Sequence, residues 1–192
     1  PNYMLHKTET KEVRGQWIDF IYTLQDRICK AIEEVDGKAL FHEDEWQRAE
    51  ARLPDGQGKG GGGLTKVIQH GNVFEKGGVN TSVVYGHTTE KMKKFLGIDG
   101  DKWFAAGLSL VIHPQNPFVP TSHLNVRFFV ASKDNEAPLW WFGGGFDLTP
   151  YYPFHEDVIH WHQISQQACK PYGEAIYPHY KAWADKYFYL PH

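Results

Sequence analysis

In the segment His123-Leu124-Asn125-Val126-Arg127-Phe128 an imidazole, an amide and a guanidinium recur at every second residue. Side chains along a β-strand alternate between its faces, so this spacing gathers His123, Asn125 and Arg127 on one side, with Leu124, Val126 and Phe128 opposite. Upstream, Ser109-Leu110-Val111-Ile112-His113 repeats the pattern, with Ser109 and His113 on one side and Leu108, Leu110 and Ile112 on the other. A proton donor and acceptor, an amide and a permanent cation on one surface suit proton transfer beside a bound anion. A single stripe of this kind is most simply a sheet face in water. Solvent faces usually carry Lys, Glu and Thr, however. Two stripes of His, Asn, Arg and Ser, joined by the stiff link from Pro114 to Thr121, favour a site.

A third group lies in Trp140-Trp141-Phe142-Gly143-Gly144-Gly145-Phe146-Asp147-Leu148-Thr149-Pro150. The glycines let backbone or ligand come close, and large aromatic residues flank them. Asp147, between Phe146 and Leu148, is expected in an apolar setting where its charge needs a donor. It reads either as a turn residue capping the next segment or as a carboxylate held against a flat ligand. Aromatic walls, an acid, a guanidinium and imidazoles together suit a large conjugated or polypyrrole anion. His160-Trp161-His162 invites a metal reading, but helical residues two apart point roughly 200° from each other. At most one of these histidines could join His113 and His123 at a common site.

These residues need a scaffold, and the pattern around them supplies one. Val13, Trp17, Phe20, Ile21, Leu24, Ile28, Ile32 and Val35 recur at helical steps, and Asp36-Gly37 stops the helix. β-type runs follow at 64–69, 72–75, 79–85, 107–113, 123–131 and 139–142, separated by Gly, Pro and Asn signals. Few are separated by a helix of crossover length, so antiparallel pairing is expected. Helices return over 156–168 and 173–188, broken near Lys170-Pro171. The fold class is α+β, a large antiparallel β-sheet flanked by α-helices, in a single domain spanning 1–192.

Residues 54–63, PDGQGKGGGG, are expected to form a flexible loop. They match GxGxxG at Gly56, Gly58 and Gly61, yet a dinucleotide site needs a helix next, and Leu64 to Ile68 reads as a strand. Composition narrows the field further. With 41% hydrophobic and 15% aromatic residues in 192, the chain can bury a core and is not disordered. A net charge of −3 with no basic run speaks against nucleic acid as partner. The longest apolar run, Trp103 to Ile112, is too short for a transmembrane segment. Cys29 and Cys169 show no metal-binding spacing and read as free thiols.

Several long motifs resemble the oxygen-dependent coproporphyrinogen III oxidases. They are Val73 to Asn80, His113 to Pro117, Pro120 to Phe129, Trp140 to Pro150 and the closing Tyr187-Phe188-Tyr189-Leu190-Pro191-His192, and the likeness runs from about Trp17 to His192. The resemblance implies oxidative decarboxylation of coproporphyrinogen III to protoporphyrinogen IX in haem biosynthesis, with O2 as co-substrate and no organic cofactor. It implies His123 as general acid and Asp147 as the group handling pyrrole N–H protons. Ser109, Asn125, Val126 and Arg127 match substrate-binding positions. In some bacterial members a divalent metal is assigned to histidines matching His113, His123, His162 and His192. The resemblance also implies a homodimer in the cytoplasm, or in the mitochondrial intermembrane space if the native start lies upstream of Pro1. Family chains continue past His192 into a dimerisation region, so residues 1–192 alone are expected to lack that C-terminal part, and with it activity and native dimerisation. Residues 54–60 look like an insertion confined to a loop.

Two other functions fit the same residues. One is a His-ligated metal oxygenase on the same sheet, which a chelator would silence. The other is a non-catalytic module binding a flat ligand on its aromatic surface, which gives Arg127 and Asp147 no particular reason to face a pocket.

Overall fold

The fold, taken from a computed structural model, is described for residues 7–48, 51–52 and 58–191. The chain divides into two compact units, one up to Pro150 and one from Tyr151. In the first, helix α1 (Lys7–Asp36) precedes β1 (His42–Gln47), β2 (Ala51–Arg52), β3 (Gly58–Gln69) and β4 (Phe74–His87). Helix α2 (Glu90–Leu96), β5 (Lys102–Pro114), β6 (Thr121–Ser132) and β7 (Leu139–Thr149) complete it. The strands form one antiparallel sheet in the order β1-β3-β4-β5-β6-β7, with β2 paired to β3 off this path. The second unit holds α3 (His155–Cys169), a 3-10 turn (Lys170–Tyr172) and α4 (Ile176–Tyr187). This is the expected α+β class. Among the described residues, no helix is long and apolar enough to cross a membrane.

The apolar alternation of the strands decides where α1 lies. Val79, Phe104, Ala106, Leu108, Ile112, Phe128 and Val130 share one face of the sheet and are buried with Ile21 and Cys29 of the helix. Polar groups fasten the same interface. The Gln25 amide, fully buried, donates to the carbonyls of Leu64 and Val79 at 2.8 Å each and accepts from Thr81 Oγ1 at 3.3 Å. A buried amide is tolerated only when its bonds are met in this way. Trp17 Nε1 donates to the Ala106 carbonyl at 2.9 Å. Lys66 reaches Asp26 at 2.8 Å and Glu43 at 2.5 Å. Burial works against its charge, but hydrogen bonds to these two carboxylates outweigh burial and hold its pKa above the usual lysine range. Burial also pushes the Cys29 thiol up to about 12, so it stays protonated and inert.

The helix ends as expected at Asp36, with Gly37 at a φ of 69°. The Asp36 carboxylate accepts from the backbone N–H groups of Ala39 at 2.9 Å and of Asn72, Val73 and Phe74 at 3.0 Å. One side chain thereby ties the end of α1 to the turn between β3 and β4.

Two glycine-rich stretches depart from the expected loops. Gly58 to Gly63 lie within β3, whereas Pro54 to Gln57 lie outside the described residues. The rings of Trp46 and Tyr85 occupy the space where side chains at Gly63 and Gly60 would stand. Glycine is required here by close approach inside a sheet, not by chain flexibility. Likewise β7 continues through Gly143, Gly144 and Gly145 to Thr149, beyond the run expected to end at 142.

Candidate active site

The face of the sheet turned away from α1 carries the polar stripes, and its registry follows from the pairing. Ser109 on β5 stands opposite Asn125 on β6, which stands opposite Gly145 on β7. One step along, Val111, His123 and Asp147 form a row, and on the other side Gly107, Arg127 and Gly143 form another. His113 and Thr121 approach each other at 3.4 Å between His113 Nδ1 and Thr121 Oγ1. Ser109, His113, His123, Asn125 and Arg127 therefore lie on one surface, as the period-two spacing predicts.

Asp147 joins them. In an extended strand Phe146 and Leu148 point away from its face, so the expected apolar setting does not form around it. Instead its Oδ1 lies 2.8 Å from His123 Nδ1 and 3.3 Å from Thr149 Oγ1, and its side chain is 56% exposed. The reading as a turn residue capping the following segment is also set aside, because Asp147 lies inside β7. A carboxylate on Nδ1 fixes the imidazole and favours the proton there, which leaves Nε2 to exchange protons with a ligand.

Arg127 Nη1 donates to Asn125 Oδ1 at 2.8 Å, so the amide orients the guanidinium. A side chain at Gly143 would come within 3.3 Å of that guanidinium, while nothing lies within 4 Å of where one at Gly145 would stand. Glycines thus form an open floor between the cation and the His123–Asp147 pair. Beyond Arg127 an aromatic shelf closes the surface: the Phe129 and Trp141 rings stack at 4.4 Å, and Trp103 and Phe129 lie parallel at 6.4 Å. The Val126 side chain faces the other way and packs against the cluster under α1. It can serve a ligand on the polar face only through the strand it belongs to.

The four histidines of the metal assignment fall in different parts of the chain. His113 and His123 belong to the first unit, His162 to the second, and His192 lies outside the described residues. Within its own unit His162 Nδ1 lies 2.9 Å from Tyr177 Oη. Among the described residues, no group of three or more His, Cys, Asp or Glu side chains could hold a metal ion. A separate hollow beside α1, lined by Tyr22, Trp46 and Tyr85 over Gly60 to Gly63, contains none of the expected site residues.

Sequence reasoning expected strand at 72–75 and 79–85 but missed the polar stripe of β4. Its residues Lys76, Gly78, Asn80 and Ser82 face the same side as the site, with Lys76 opposite His113 and Asn80 opposite Ser109. The signal is the same period of two, diluted by Gly77 and Gly78.

Compared with known protein families, the chain matches the family model described as coproporphyrinogen III oxidase over residues 16–192. The match spans both units and every residue named above as a site candidate.

Proposed function

The chain belongs to the coproporphyrinogen III oxidase family, and from that premise we propose that the polar face of β5, β6 and β7 is where the substrate is held and its protons are managed. The family's reaction is the oxidative decarboxylation of coproporphyrinogen III to protoporphyrinogen IX in haem biosynthesis, an oxidoreductase activity. The observation that carries the proposal is the His123–Asp147 pair, at 2.8 Å, on the same surface as Arg127.

For each propionate the chemistry must remove CO2 and a hydride equivalent from a –CH2–CH2–COO⁻ arm, leaving a vinyl group. O2 as co-substrate takes that hydride and one proton and becomes H2O2, so atoms and electrons balance without an organic cofactor. A porphyrinogen is electron-rich, and a pyrrole relieved of its N–H proton reacts directly with O2. Asp147 takes that proton, assisted by His123, which returns one as general acid when peroxide departs. Arg127 holds a propionate through its forked donors, kept in orientation by Asn125. Ser109, opposite Asn125, supplies a hydroxyl to the same ligand surface. Positioning and proton handling are the protein's share, and both depend on fixed side chains on a rigid sheet. The proposed steps use no metal. The functional form of the full-length enzyme is a homodimer, as the family resemblance implies.

The experiment is anaerobic incubation of the purified enzyme with coproporphyrinogen III, followed by air, recording CO2 release and product mass. CO2 and a divinyl product should form only after O2 is admitted, with chelator present or absent. Turnover without O2 contradicts O2 as acceptor. Turnover lost to chelator and restored by one added metal contradicts the metal-free steps.

A further inference from the structure

The polar stripe of β4, which sequence reasoning missed, adds a function to this face. We propose that β4 is a second substrate-binding strand, on which Lys76 anchors a carboxylate of the ligand at the end of the site opposite Arg127. The inference rests on the proposed function above and extends it to a residue not among the site candidates named so far.

Charge is the first argument. Coproporphyrinogen bears four carboxylate arms, whereas on the site face of β4, β5, β6 and β7 the only Lys or Arg residues are Lys76 and Arg127. An anion with arms on every side needs cations on more than one side of the reacting centre. Lys76 is exposed and stands directly opposite His113 on β5, with Gln69 opposite on β3. Lys66 and Lys102, also on strands, are paired with carboxylates, but among the described residues Lys76 has no ion-pair partner. A lysine left unpaired on the site face is available to a ligand.

Spacing is the second argument. From the Lys76–His113 row to the Gly107–Arg127 row is three two-residue steps, or ~20 Å along the strands, with ~10 Å across two strand spacings. The His123–Asp147 row lies one step from Lys76 and two from Arg127. A flat tetrapyrrole centred near that pair would have arms directed at both cations, each of which reaches inward on a long flexible stem.

A third, independent observation comes from the same stripe. Among the described residues, Asn80 Oδ1 is the one buried side-chain polar atom without a hydrogen-bond partner. Unpaired buried acceptors are costly and uncommon, and they mark places where a partner is missing. Asn80 lies in the Ser109–Asn125–Gly145 row, between the His123–Asp147 row and the Arg127 row, and its amide lies against Gly78, with a side chain there 3.5 Å from Asn80 Nδ2. Pyrrole N–H groups are donors of the kind such an amide lacks.

The test is equilibrium binding of coproporphyrinogen III without O2, followed by tryptophan fluorescence, for the wild type and for Lys76→Met, Lys76→Gln and Lys76→Arg. Lys76→Met and Lys76→Gln should each raise Kd roughly fivefold at low salt, the scale of one partly exposed ion pair, and flatten its dependence on ionic strength. Lys76→Arg should bind as the wild type does. Arg127→Met is measured alongside. If Arg127→Met weakens binding while the two neutral Lys76 variants do not, the Lys76 anchor is overturned and the proposed function stands. If neither position affects binding, the ligand is not on this face and both readings fall.

Discussion

The two faces of the sheet are built from the same strands and answer to different demands. Toward α1, alternate residues are large and apolar, and the polar groups Gln25, Lys66 and Trp17 are locked there, by carbonyls, by carboxylates and by a carbonyl respectively. On the opposite face, short of the aromatic shelf, the side chains around the site are mostly polar or absent, the floor is glycine, and an acceptor on Asn80 stays unmet. One face spends its side chains on stability, the other leaves groups ready for a ligand. Substitutions on the two faces should therefore act on different observables.

The largest effect belongs to the covered face. Phe128, fully buried, should cost about 3–5 kcal/mol when changed to Ala, the usual range for an aromatic core truncation. Denaturant unfolding measures this, and activity per folded molecule should be nearly kept. Loss of turnover without loss of stability would break the comparison. On the other face, on the neighbouring strand, Asp147→Asn should leave the unfolding midpoint in place and lower turnover by ~10²-fold or more, the scale of a lost general base. Unchanged turnover in the folded variant would remove Asp147 from the chemistry.

Acid sharpens the contrast. The N–H groups of Ala39, Phe74, Val73 and Asn72, against some desolvation, hold the Asp36 carboxyl well below the usual carboxylate range. Its folded pKa lies below the unfolded one, so its stabilising contribution is complete above about pH 4 and is lost as pH falls further. Urea midpoints at pH 7 and pH 3 should therefore differ more for the wild type than for Asp36→Asn. An equal acid loss in both would show that this knot does not couple to folding. The smallest effect concerns Gly145, where nothing stands within 4 Å of an added methyl. Gly145→Ala should change stability by no more than about 1 kcal/mol while weakening anaerobic binding of coproporphyrinogen III, because the methyl rises from the floor of the site.

How much of this was readable in the sequence depended on whether a strand kept its alternation. β5 and β6 did, and the placement of Ser109, His113, His123, Asn125 and Arg127 on one face followed directly. α1 was readable from its helical repeat and its Asp36-Gly37 end. β1, His-Glu-Asp-Glu-Trp-Gln, hid because it is a largely exposed edge strand with little apolar residue to betray it. The glycine runs of β3 and β7 imitated loops, since the reason for them, rings of Trp46 and Tyr85 and the arm of Arg127, lies on other strands. Asp147 was misjudged through its neighbours: Phe146 and Leu148 are adjacent in sequence but belong to the other face. The polar stripe of β4 was masked by the same glycines that keep its surface low.

The central claim is that the ligand lies on the face away from α1. A crystal structure with coproporphyrin III, the oxidised and unreactive form of the substrate, tests it most directly. The ring is expected over the Ser109–Asn125–Gly145 row, with a carboxylate on Arg127 and the His123–Asp147 pair beneath a pyrrole. A ring seated instead in the hollow between Tyr22, Trp46 and Tyr85 would contradict the account.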